Sequence, residues 1–211
     1  CLMTTWPIWL QAGVWGLVAG SALVIGAVIG YFTKISHKAI AAIMAFGSGV
    51  LISALSFDLV DEAQKRGGFV ATAVGFLMGA AIFTAANVYL AHRGAAARKL
   101  SGQQQPSEQE EQGSGMAIAL GALIDGIPEA IVIGVSMIAS KTVSMVAVIA
   151  IFLSNIPEGL SSAAGMKKAG RSAFYVFGVW GGIAIVNGVA AALGNLLFIG
   201  FSEQVIAATM A

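Results

Sequence analysis

Apolar residues in this chain gather into six runs, each long enough to cross the hydrocarbon of a bilayer as a helix. They cover about Ile8 to Phe32, Ala39 to Val60, Phe69 to Ala91, Met116 to Ala139, Val143 to Ala164 and Ala173 to Ile199. Trp6, Trp9 and Trp15 open the first, as residues that favour the membrane interface. That run is too long for a signal-peptide core. One long polar stretch, His92 to Gly115, interrupts the pattern. Its centre, Ser101-Gly-Gln-Gln-Gln-Pro-Ser-Glu-Gln-Glu-Glu-Gln, has too few apolar residues to fold and is expected to be disordered. The other loops are short, which predicts antiparallel neighbouring helices. The pattern thus predicts an all-α polytopic membrane protein, one transmembrane domain over residues 1–211 with a disordered loop at about 94–115. The chain opens on Cys1 rather than Met, and Phe201 to Ala211 reads as the opening of a seventh helix, so a longer protein is expected.

Composition narrows this further. Of the residues, 58% are hydrophobic and only 10% charged, where a soluble domain carries about 25% charged. The net charge of +1 lacks the basic excess that a nucleic-acid partner requires. The lone Cys1 supports neither a disulfide framework nor a thiolate metal site. The 27 glycines suit membrane helices packed closely through small residues. Lys34, Lys38, Arg93, Arg98, Lys99, Lys167, Lys168 and Arg171 fall on one side of the predicted membrane, and Lys65, Arg66 and Lys141 on the other. Basic loops stay cytoplasmic, so the reading places the N-terminus outside and the 92–115 loop inside, in the cell (inner or plasma) membrane.

Two stretches break the apolar pattern in the same way: Asp125-Gly-Ile-Pro128-Glu129-Ala and Ser154-Asn155-Ile-Pro157-Glu158-Gly. An ionisable residue at mid-span costs several kcal/mol, and its default reading is functional. Each proline lacks an N–H, which frees the carbonyls of Ile124 and Leu153. A freed carbonyl in hydrocarbon needs a neighbour, a water or an ion. Asp125 and Glu129 are four apart and share a helix face; Asn155 and Glu158, three apart, share another. No Lys or Arg lies within the apolar runs, so protons or a bound cation must balance these acids. Oxygen ligands of this kind hold divalent cations.

The remaining polar positions are weaker signals. Asn187 reads equally as a ligand or as inter-helical glue. Asp58, near the end of the second run, reads equally as a mouth residue or a pore site. Asp61 and Glu62 read as loop acids, His37 and His92 as interfacial, and the methionines as packing.

The paired motif resembles the ZIP (Zrt/Irt-like protein) family of metal transporters. That family carries a His-Asn-x-Pro-Glu-Gly signature on its fourth helix and a related Pro-Glu-Gly motif on its fifth. Phe46-Gly-Ser-Gly49 followed by Asp58 resembles its second helix, and the long loop after the third helix agrees. The resemblance implies a ZIP-like helical bundle: six full spans and the start of a seventh here, eight in the complete protein. It implies Glu129 and Glu158 as shared ligands of a metal centre, Asp125 at the family's histidine, and Asn155 at a usual ligand position. Asn187 stands where some members have an acidic ligand, and Ser154 is a weaker candidate. The chain departs from the family in having Gly126 for the motif Asn, no histidine at the core and no His-rich loop. An all-oxygen set suits Mn²⁺ comparatively better than zinc, which remains the family expectation.

The expected function is carriage of a divalent metal (zinc, with manganese, iron or cadmium as alternatives) toward the cytoplasm. The expected metal residues are Asp58, Asp125, Glu129, Asn155, Glu158 and Asn187. The protein is expected to be no enzyme and to use no organic cofactor. Its expected partners are the bilayer and metal ions, with a homodimer compatible and no nucleic acid. The competing reading is a proton or sodium pathway in which the acids titrate without binding a divalent ion. An intramembrane hydrolase built on Asp58 and Asp125 is disfavoured, because those acids fall at different depths.

Overall fold

The computed structural model describes residues 6–92 and 114–211, and every regular element among them is helical. The helices are α1 (Ile8–Phe32), α2 (His37–Ala54), α3 (Val60–Leu90), α4 (Ser114–Ser140), α5 (Met145–Lys168), α6 (Ala173–Phe198) and α7 (Glu203–Met210). A π-helical turn, Leu55–Leu59, joins α2 to α3. Five helical stretches are long and apolar enough to cross a membrane, α2 and α3 counting as one run, His37–Leu90. The loop expected at about 94–115 lies outside the described residues, except for Ser114 and Gly115, which open α4.

The expected break between the second and third spans sits at one residue. Helical hydrogen bonding continues through Asp61 and Glu62, which pair with Lys65 and, at 2.6 Å, Arg66 one turn on. These acids are therefore helical rather than loop residues, as the i,i+4 spacing favours. Gly68 alone leaves helical geometry, at φ 78° and ψ 172°, a conformation open to glycine without steric cost. The chain turns back there, because Leu51 to Leu59 and Gly75 to Ala86 line the same cavity. Unbroken, the run of 54 residues would extend about 80 Å, far beyond the roughly 30 Å of hydrocarbon.

α1 is the axle. One face of it is almost entirely small: Ala12, Gly16, Ala19, Gly20, Ala22, Gly26, Ala27 and Gly30 are buried with Leu23. Its first half packs on α6, where Gly16 meets Ala191 and Gly20 meets Ala184. Its second half packs on α5, where Gly26 and Gly30 meet the backbone of Ile156 and Leu160, and Gly159 meets that of Leu23. Small residues let helix backbones approach closely, which is how helices associate where water supplies no driving force. α4 closes on α6 in the same way, Gly134 against Ala191 and Gly194 against Ile131, and Asn195 Nδ2 donates to Gly134 O at 3.0 Å. α2 rests on the motif of α5, Gly47 against Pro157, and α7 lies along α3 at Gly67 and Gly75. Trp180, Met166, Val176 and Leu23 fill one core layer; Ile133, Val148, Ile151 and Ala191 fill the next. Trp6 and Trp9 are exposed as expected of interfacial residues, whereas Trp15 is half-buried against the second layer.

Candidate functional site

α4 and α5 continue as helices through Pro128 and Pro157, so both Pro-Glu pairs are held on regular backbone. Glu129 is half-buried and lines a cavity of about 680 Å³ bordered by α2, the π turn, α3, α4, α5 and α7. The walls are apolar, with Leu51, Phe76, Phe83, Ile127 and Ile151 among them, and Glu129 is the one carboxylate among the described lining residues. Asp125, one turn earlier on α4, is also half-buried. Glu158 is half-buried on α5, between two buried residues, Pro157 and Gly159.

Asn187 of α6 comes directly onto the α4 motif. It is 3% exposed, and a Cβ built at Gly126 would lie 2.9 Å from its Oδ1 and 3.1 Å from its Nδ2. The amide of α6 therefore occupies the room that a side chain at 126 would need. Its Oδ1 is buried without a hydrogen-bond partner, which leaves an acceptor beside Gly126. An unsatisfied buried acceptor costs about 1–3 kcal/mol and persists only where something offsets it. We expect Gly126→Ala to lower stability by about 1 kcal/mol through overpacking. Asn187→Ala in the same chain should restore most of that loss, giving a measurable coupling in a thermal-unfolding double-mutant cycle.

Asn155 has another role. At 2% exposure its Nδ2 donates to Ala19 O at 3.0 Å, tying α5 to α1 across the glycine crossing. Ser154 Oγ donates back to Ile151 O at 3.0 Å. Asp58 lies on the π turn and accepts from Ser144 Oγ at 2.8 Å. Ser144 is the N-cap of α5, its oxygen accepting from the Ala147 N–H at 3.2 Å. Asp58 thus steadies the start of α5, at the edge of an open cleft of about 740 Å³ lined by Phe46, Gly49, Ser53 and Phe57. Ser144→Ala should cost about 1 kcal/mol by removing the cap, read as a lower midpoint of thermal unfolding.

Among the described residues, no three His, Cys, Asp or Glu side chains gather where one ion would touch them all. The structure brings Asn187 to the α4 motif and places Glu129 on the cavity. Asp58 stands apart at the start of α5, and the Asn155 amide donates to backbone. The sequence reading missed Ser144, a polar residue before an apolar run, which is an N-cap signal. It also missed Asn195, whose signal is the same as that of Asn187: an amide inside an apolar run. The chain matches no protein-family model and no curated protein.

Proposed function

We propose that the protein is a divalent-metal transporter of the ZIP type, carrying its ion toward the cytoplasm past the carboxylates of α4 and α5. The observation that carries this reading is Glu129: an acid beside a helix proline, lining an apolar cavity in which no described lining residue is basic. A cation entering there would exchange its water for the carboxylate and for the Ile124 carbonyl freed by Pro128, both on the cavity lining. Glu158 would supply the corresponding group from α5, and Asp58 would act at the cleft. The proposal includes six spans with a seventh begun, the N-terminus outside, and a place in the cell membrane. The oxygen-only ligand set ranks manganese and iron closer to zinc than an imidazole site would.

The test is competitive uptake into liposomes of Zn²⁺, Mn²⁺, Fe²⁺ and Cd²⁺, with Asp125→His in parallel. The expected result is metal uptake by the wild type and a shift of preference toward zinc in the variant. Absence of uptake for all four ions overturns the reading.

One observation favours a second reading. Because no three described His, Cys, Asp or Glu side chains gather as a cation site, the acids also suit a proton or sodium pathway in which they titrate without binding a divalent ion. Proton or sodium flux without any divalent ion, unaffected by Cd²⁺, would support it.

A further inference from the structure

At one end of the bundle the α1–α2 turn meets the α5–α6 turn, and cations dominate. Lys34, Lys38, Lys167 and Lys168 are exposed there. Lys167 Nζ donates to Tyr31 O at 2.5 Å and lies 4.9 Å from the Tyr31 ring centre. Tyr31 Oη donates to Arg171 O at 3.4 Å, and the Arg171 guanidinium sits 5.3 Å from the Tyr175 ring. Lys168 Nζ is 3.1 Å from His37 Nε2. The ion pairs Lys65–Asp61, Arg66–Glu62 and Arg66–Glu203 lie at the opposite end. The basic end also carries the N-termini of α2 and α6, capped by Ser36 and Ser172, which add partial positive charge.

At the same end, on the last turn of α1 and the first turns of α6, lies an exposed aromatic shelf. Phe32 is 66% exposed and stacks on Phe177 at 5.8 Å and 17°. Tyr31 meets Phe177 edge-on at 5.6 Å, and Phe174 is 91% exposed. Cations beside exposed rings match one kind of occupant, an amphiphile with an anionic head and hydrocarbon tails.

We propose that the α1–α6 seam at this end is a binding site for an anionic phospholipid. Its phosphate is held between Lys34, Lys167 and the Arg171 region, and its acyl chains lie over Phe32, Phe174 and Phe177. The lysines reach the phosphate by extending along the apolar surface with their heads in the headgroup layer. Each cation near an anionic membrane surface contributes about 1 kcal/mol, so two of them set a preference of about tenfold or more over a zwitterionic lipid. The aromatic shelf separates this occupant from free phosphate, which would gain nothing from the rings.

The experiment is native mass spectrometry of the full chain in detergent, titrated with phosphatidylglycerol or with phosphatidylcholine of the same acyl chains. Expected is retention of phosphatidylglycerol at about one tenth the concentration needed for phosphatidylcholine. Lys34→Gln with Lys167→Gln should bring the two lipids level, while Lys34→Arg with Lys167→Arg and the opposite-end Lys65→Gln should both keep the preference. Helicity by circular dichroism accompanies each variant, and the arginine pair retains the charge if the glutamine pair fails to fold. Equal retention of the two lipids by the wild type overturns the site, as does a preference that survives the glutamine pair. Displacement of phosphatidylglycerol by equimolar inorganic phosphate overturns the lipid as occupant.

Discussion

Glu129→Gln combined with Glu158→Gln is expected to abolish metal uptake into liposomes without loss of stability. Glutamine keeps the length and the hydrogen-bonding capacity of glutamate and removes its charge. A carboxylate at mid-span costs about 3 kcal/mol by insertion scales, so the neutral variant should unfold at the same temperature as the wild type or higher. Transport should move the other way. Loss of groups that merely support a metal ligand lowers affinity about 10–100-fold, and loss of the ligands themselves should lower it further. The two readouts therefore diverge, which a packing role for these acids would not produce. Uptake that persists in the double variant sinks the transport reading, and so does a fall in uptake that only tracks a fall in thermal stability.

The second large effect concerns folding. Gly159→Val should cost about 3 kcal/mol or more and deplete the monodisperse fraction on size exclusion. A Cβ at Gly159 would run into Leu23 O, just as one at Gly26 would meet Ile156 O and one at Gly30 would meet Leu160 O. These neighbours are backbone atoms of paired helices and cannot swing aside as a side chain can. Relief requires α1 and α5 to separate, which also stretches the Asn155–Ala19 hydrogen bond beside the crossing. The last residue of the Pro-Glu-Gly motif is thus explained by packing. Gly181 of α6 is the control: a Cβ there meets nothing within 4 Å. Gly181→Ala should raise stability by about 0.5–1 kcal/mol, as expected of a helix interior. Equal behaviour of the two variants would show that the crossing does not limit stability.

Much of the architecture was legible in the chain. The first expected span, about Ile8 to Phe32, coincides with α1, and the sixth ends one residue beyond α6. Such agreement arises because helix ends fall where apolar runs meet Ser, Lys and Gly, a local property. The positions of both Pro-Glu pairs on helices α4 and α5 were equally plain. Asp61 and Glu62 misled because charge suggested a loop, while their spacing to Lys65 and Arg66 supported another turn of helix.

The partners of the polar residues were not legible. Asn155 and Asn187 looked alike as amides in apolar runs, yet one donates to the Ala19 backbone and the other fills the space beside Gly126. α1 is apolar all round, so no periodicity in it tells which face meets α5 and which meets α6. By itself the sequence determined an all-helical, membrane-compatible chain with acids and prolines at matching places inside apolar runs, because hydropathy and covalent chemistry act residue by residue. Only the tertiary structure decided that α1 threads between α5 and α6, that Gly68 folds the second run back, and that Glu129 faces a cavity. Those outcomes depend on how closely two backbones approach, and that is set by glycines on both helices at once.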